Sequence, residues 1–152
     1  MTKPTSARAK TMDGPAAGPR QRAKAAAAES GPAPAAGLPP ELALAARVAH
    51  DKKATGVVAM DLRKAQAFTD YFFICTGHNA RQVKAIADAI EVALADEGLK
   101  PAHVEGYDRA NWVLLDYFTF IVHVFAPDAR AFYDIERLWG SARRVEMPDP
   151  GA

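Results

Sequence analysis

Tyr71-Phe72-Phe73-Ile74-Cys75-Thr76-Gly77-His78-Asn79-Ala80-Arg81-Gln82-Val83 is the stretch on which the reading of the fold turns. Its first six residues are apolar, aromatic or β-branched without a charge among them, the pattern of a buried strand. Gly77 releases the chain, and Asn79 then stands three residues before Gln82, the reciprocal spacing that satisfies free amides at a helix start. From there Val83, Ile86, Ala87, Ile90 and Leu94 recur at helical spacing while Arg81, Lys84, Asp88, Glu91 and Asp96 take the other side. Gly98 followed by Pro101 marks the stop. A buried strand feeding an amphipathic helix begins an α/β unit.

Working outward toward the N-terminus, residues 63–70 are a polar connection back to a second buried strand, Gly56 to Leu62. Before it, Pro39-Pro40 opens a helix through Glu41 to His50, built of good helix formers with an acid in its first turn. Toward the C-terminus, a short segment around His103-Val104-Glu105-Gly106 precedes two strand-like runs, Trp112 to Tyr117 and Phe120 to Phe125. Pro127-Asp128 then starts a final helix, in which Phe132, Ile135, Leu138, Trp139 and Ala142 are spaced for one buried stripe. The order is helix, two strands, helix, two or three strands, helix. It predicts one small α/β domain over residues 38–146, a mixed sheet covered by helices, with a flexible end at 147–152.

Length and composition agree, since 152 residues with 49% apolar content suit one core rather than two. Residues 1–37 carry six Lys/Arg against two Asp/Glu, five of the eleven prolines and no aromatic residue. Such a segment cannot bury enough apolar surface to offset its ordering entropy, so it is expected to be a disordered basic tail. An inert extension is the first reading of it, ahead of a targeting peptide or an RNA-touching arm. The whole chain has a formal charge of +1, which excludes the global positive field of sequence-blind nucleic-acid binders. The longest apolar run near the N-terminus, Ala25 to Ala28, is too short for a membrane span or a signal core, so the expected location is cytoplasmic, or organellar if the tail is a transit peptide. Cys75 is the only cysteine, leaving no internal disulfide and no cysteine zinc site.

Catalytic signals are sparse. No Gly-rich phosphate loop follows a strand, because Gly77 stands alone before its helix, and no strand offers two carboxylates two residues apart to hold paired metal ions. The four histidines show no metal-ligand spacing; His78 and His103 read as solvated, and His123, on one strand face with Ile121 and Phe125, as a hydrogen-bonded structural residue that would meet Asp116 if the register allowed. Cys75 reads as a small buried hydrophobe. No catalytic residue, metal or cofactor is therefore expected. Between 112 and 117, alternation puts Val113, Leu115 and Tyr117 on one face and Trp112, Leu114 and Asp116 on the other. The first face is the better core; an indole, a leucine and a carboxylate together are harder to bury and have the composition of an interface hot spot. Arg143-Arg144 would complement the dipole of a C-terminal helix, with RNA contact as the other reading.

Three ordered segments carry a resemblance. Thr69-Asp70-Tyr71-Phe72-Phe73-Ile74-Cys75-Thr76-Gly77 with Arg81-Gln82-Val83, Glu105-Gly106 leading to Trp112-Val113-Leu114-Leu115-Asp116, and Val122-His123-Val124-Phe125 followed by Phe132-Tyr133 and Leu138-Trp139 together resemble the Iojap, or ribosomal silencing factor, family over about residues 41–145. The resemblance implies a domain related in fold to nucleotidyltransferases but without their catalytic residues. It implies binding to the fourteenth ribosomal protein of the large subunit, which would block joining of the small subunit and repress translation under nutrient limitation. On that reading Trp112, Leu114 and Asp116 are central to partner binding, with Tyr71, Arg81 and Phe118 contributing, while His123, Cys75, Gly77 and Asn79 are structural. Minor contact with ribosomal RNA and a homodimer through sheet edges or the apolar run Phe118 to Phe125 are further expected partnerships. The rival readings are a large-subunit assembly factor and a nucleotide enzyme using Asp61, Asp70 and Asp116 as metal ligands. One departure stands out: Phe118-Thr119 occupies the place where the family commonly carries Gly-Asp. Loss of the glycine predicts a displaced hairpin turn, as early as residues 107–111, with Phe118 and Phe120 adding apolar surface to the docking face.

Overall fold

The computed structural model describes residues 37–149; the basic tail expected up to residue 37 and the last three residues fall outside this range, apart from Gly37 itself. The elements are α1 (Pro40–Asp51), β1 (Thr55–Asp61), β2 (Tyr71–Thr76), α2 (Ala80–Asp96), β3 (His103–Glu105), β4 (Trp112–Asp116), β5 (Phe120–Phe125), α3 (Pro127–Tyr133), α4 (Ile135–Leu138) and β6 (Arg143–Glu146). The strands form one mixed sheet in the order β3-β4-β5-β2-β1-β6. Only β2 and β5 pair in parallel, from Tyr71 opposite Phe120 to Thr76 opposite Phe125. Parallel neighbours need a long crossover, which α2 supplies. Both central strands are buried at every position, which is why their sequences run apolar without alternating.

Helices α1 and α2 close one face over Ala59, Tyr71, Phe73, Cys75, Val113, Leu115, Val122 and Val124. The stripe read from the sequence, Val83 through Leu94, supplies the buried side of α2, and each such leucine or isoleucine contributes about 1.5–3 kcal/mol. The start of α2 forms as its capping residues require: Asn79 accepts from the Gln82 amide at 2.9 Å, and Gln82 returns by accepting from the His78 amide at 2.6 Å. The Gln82 side-chain amide also donates to the Lys52 and Lys53 carbonyls, tying α2 to the end of α1. Gly77 owes its identity to crowding, since a Cβ there would lie 3.0 Å from both the Val83 amide nitrogen and its side chain. Its own amide donates to the Phe125 carbonyl at 2.9 Å and prolongs the parallel pair.

Three expectations are corrected. The final helix breaks at Asp134, which takes φ +44, so the single buried stripe does not exist: Ile135, Trp139 and Ala142 pack inward, whereas Phe132 and Leu138 are 79% and 73% exposed. Arg143 and Arg144 do not end a helix; they lie on the edge strand β6, paired with Asp61 and Met60 of β1. Nor is the chain loose at Met147 itself, because its amide donates to the Val57 carbonyl and its side chain is buried.

The hairpin between β4 and β5 also differs from expectation. Residues 107–111 do reverse the chain, but between β3 and β4, while β4 turns into β5 at Tyr117-Phe118-Thr119. Thr119 donates back to the Tyr117 carbonyl at 2.8 Å around Phe118, which sits at φ +70. A γ-turn with its central residue near this φ is rare and strained. Two neighbours hold it: Asp116 Oδ1 accepts from the Phe118 amide at 2.9 Å, and the Thr69 hydroxyl donates to the Phe118 carbonyl at 2.9 Å. Replacing Phe118 with glycine, the residue common in the resembling family, should therefore raise stability by about 1 kcal/mol in urea denaturation. A lower midpoint for Phe118→Gly would show that the phenyl contacts outweigh the strain.

Candidate functional site

The second face of the sheet is covered only in part. Val58, Met60, Leu62, Phe72, Ile74, Ile121 and Phe125 form its core, and Ala129, Ile135, Trp139 and Ala142, from α3, α4 and the segment after them, pack upon it. Covering elements this short leave the β4 margin half open, and there Trp112 and Leu114 lie half-buried. Alternation along β4 is as the sequence predicts: Val113 and Leu115 are sealed against the helices, and Trp112 and Leu114 face the other way.

A network fixes the indole. Trp112 Nε1 donates to His123 Nδ1 at 3.0 Å, its ring stacks on Phe125 at 4.9 Å, and Tyr133 lies against it at 4.6 Å. His123 is in turn edge-on to Phe72 at 4.5 Å. The register places His123 opposite Leu114, and Asp116 opposite Ile121, so the histidine meets the indole rather than the carboxylate. Because Nδ1 accepts, the neutral imidazole carries its proton on Nε2, which finds no hydrogen-bond partner among the described residues. Burial alone pushes the His123 pKa down to about 3. The ring is a neutral acceptor wedged under the indole.

From this buried point the aromatic row opens outward. Tyr133 is 47% exposed and touches Phe132 at 4.9 Å, and Leu138 on α4 is exposed as well. Exposed large apolar side chains concentrated beside a half-open indole are what an interface core requires. Sequence reasoning placed Phe132 and Leu138 in the core, because a 3.6-residue period cannot reveal that Asp134 breaks the helix. A second feature it missed is Arg130, whose guanidinium pairs with Glu136 at 2.8 Å and donates to the Gly56 carbonyl and the Thr76 hydroxyl. That cluster, extended by Arg144 onto Glu136, fastens α3 and α4 to the ends of β1 and β2 and to β6, so the exposed residues rest on a fixed base. Glu136 is held ionised below its ordinary range, chiefly by the Arg130 hydrogen bonds.

The remaining expected contact residues are dispersed. Tyr71 is fully buried on the opposite face, and Asp116, 4% exposed, spends its carboxylate on the Phe118 turn. Both are placed to hold strands and turns rather than to touch a partner. Phe118 is half-buried at the far end of β4, about 20 Å from Trp112 along the strand. Phe120 is buried under the helices, against the expectation that it would extend the exposed patch. Arg81 is exposed in the first turn of α2, on the layer that covers the other face. Cys75 is sealed in the core, its thiol pushed up to about 12 by burial. Asp61 and Asp116, with Asp70, do not assemble: no group of three or more metal-ligating side chains occurs among the described residues. No described helix is long and apolar enough to cross a membrane.

Residues 36–152 match the family described as "Ribosomal silencing factor during starvation". The chain is 42% identical over 106 residues to the ribosomal silencing factor of Halalkalibacterium halodurans, covering 70% of this chain and 91% of the relative. The corresponding figures for that of Bacillus subtilis are 41%, 70% and 90%. A crystal structure of a Chromobacterium violaceum protein superposes with a TM-score of 0.64 at 33% identity, covering 72% of this chain and 89% of that one.

Proposed function

Given that this chain belongs to the family of ribosomal silencing factors, we propose that it binds the large ribosomal subunit through the fourteenth protein of that subunit, blocks association with the small subunit by occupying its docking surface, and so represses translation when nutrients are limiting. The action is steric and needs no catalysis. One observation supports this reading above others: a rigid indole at the open margin of the sheet, braced from below by His123 and Phe125 and extended outward by Tyr133, Phe132 and Leu138. Rigid aromatic anchors lose little side-chain entropy on binding, so the energy of covering them is realised as affinity.

Trp112→Ala is a poor first probe, because the indole also packs against Phe125 and Tyr133 and its loss disturbs the fold. Phe132 and Leu138, mostly exposed, separate the two effects. The double substitution Phe132→Ala, Leu138→Ala should move stability by no more than about 0.5 kcal/mol. It should cost about 2 kcal/mol or more of affinity for purified large subunits, roughly thirtyfold in co-sedimentation. Wild-type co-sedimentation by a normally folded double variant would remove this face from the interface. Subunit-joining assays on the same samples test the steric claim, since binding with no loss of joining would leave an assembly role instead.

A further inference from the structure

Segment 127–142 is folded against the period of its own sequence. Phe132, Ile135, Leu138, Trp139 and Ala142 would share one side of an unbroken helix, where all could be buried together. The chain instead bends at Asp134, in the left-handed region at φ +44, and leaves Phe132 and Leu138 mostly in water. Such an arrangement gives up apolar burial and strains a non-glycine residue, so other contacts must hold it.

Arg130 supplies them. Its Nε and Nη2 donate to the two carboxylate oxygens of Glu136 at 2.8 and 3.1 Å, and its Nη1 donates to the Gly56 carbonyl at 2.7 Å and the Thr76 hydroxyl at 2.8 Å. Residues six apart on an unbroken helix point about 120° away from each other around its axis, so this bidentate pair comes within reach because the chain bends between its members. Both side chains are only 16% exposed, and bonds so withdrawn from water keep their strength. By contrast, Arg137 meets Asp134 at 4.0 Å while 83% exposed, too weak a pairing to fix the bend. Arg144 of β6 binds the Glu136 carboxylate as well, tying α4 to the sheet edge, while Arg130 Nη1 ties α3 to β1 and β2. Gly56, at φ +57, makes room for this, since a Cβ there would lie 2.7 Å from Nη1.

We propose that Arg130 is the positioning residue of the docking face: its clamp on Glu136 keeps the segment bent at Asp134, and without it residues 127–142 close into one amphipathic helix that withdraws Phe132 and Leu138 from the surface. That these two residues meet the large subunit rests on the function proposed above; the clamp's hold on the bend does not. Full-length wild type, Arg130→Gln, and Arg130→Gln combined with Asp134→Gly should be compared by amide hydrogen exchange and by co-sedimentation with purified large subunits. A continuous helix would tie the Ile135 and Glu136 amides to the Ala131 and Phe132 carbonyls, so both amides should exchange about tenfold more slowly in Arg130→Gln, the opposite of what general destabilisation brings. Large-subunit affinity should fall about tenfold. Adding Asp134→Gly should return both quantities to within about threefold of wild type, because glycine takes positive φ freely and is a poor helix residue. Asn79→Ala, which removes the α2 cap, controls for lost stability alone: the two amides should exchange no more slowly, and affinity should stay within about twofold of wild type. If Arg130→Gln does not fold, Arg130→Lys carries the same test, since one ammonium cannot span Glu136, Gly56 and Thr76 at once. Unslowed exchange at Ile135 and Glu136, no recovery with Asp134→Gly, or an equal loss of affinity in Asn79→Ala overturns the proposal. The docking reading fails separately: if Phe132→Ala, Leu138→Ala binds subunits like wild type, the face is not the interface, while slowed exchange in Arg130→Gln, reversed by Asp134→Gly, still supports the clamp.

Discussion

Gly106→Ala should destabilise the domain by at least about 3 kcal/mol, combining strain at a left-handed residue with a steric conflict that no rotamer relieves. Gly106 sits at φ +79 between β3 and β4, and a Cβ there would lie 2.0 Å from the carbonyl oxygen of Trp112. Both sides of the conflict are backbone. Relief requires β3 to part from β4, giving up the pairing of Glu105 with Leu114 and the bond from the Ala110 amide to the Gly106 carbonyl. The strand disturbed is the one that carries Trp112, so, on the function proposed above, large-subunit affinity should fall with stability. Gly98→Ala is the control: φ is +87, but nothing lies within 4 Å of the added methyl. It should lose only the conformational part, about 1 kcal/mol. Urea denaturation of the pair decides the matter, and equal losses would mean that the close approach to Trp112 relaxes at little cost.

The contrast between these glycines illustrates what the sequence disclosed. Elements marked by short-range chemistry were legible: the Asn79–Gln82 cap, the α2 stripe, and the unbroken apolar runs of β2 and β5 that betray strands covered on both sides. Alternation along β4 likewise separated Val113 and Leu115 from Trp112 and Leu114. What escaped depends on contacts between distant residues. Strand β6 is four residues long and mostly charged, an edge whose identity comes from pairing with β1 and whose charges suit exposure to water. The break at Asp134 is set by how α3 and α4 are pinned through Arg130 and Glu136, residues that periodicity treats as plain solvent-facing polar positions. The candidate site was half visible for the same reason. Trp112 and Leu114 could be placed on a face, but the histidine beneath the indole and the exposed Phe132 and Leu138 depend on strand register and on that break.

The burial of His123 beneath the Trp112 indole should make the domain acid-labile well above the carboxylate range. In the folded protein burial holds the His123 pKa at about 3, against an ordinary 6.5. Above pH 6.5 the ring is neutral whether the chain is folded or not, and stability is unaffected; below it, the unfolded chain binds a proton that the folded one refuses, so stability falls steadily toward pH 3. The loss is about 2 kcal/mol between pH 7 and pH 5 and about 3 kcal/mol by pH 4. Glu136 and Asp61, whose pKa values are lowered from 4.5 and 3.8, add their own acid sensitivity only below that first interval. Protonation also turns Nδ1 from acceptor to donor, leaving two N–H groups facing each other where Trp112 was bound. His123→Asn tests this directly, because an amide oxygen placed near Nδ1 can still accept from the indole but does not titrate. Its stability at pH 7 should be lower through lost ring packing, and between pH 6.5 and 5 its stability should decline with an average slope about 1 kcal/mol per pH unit shallower than wild type. Parallel slopes for the two proteins would mean that the imidazole is protonated in the folded state, and that the lock on the indole is not a neutral hydrogen bond.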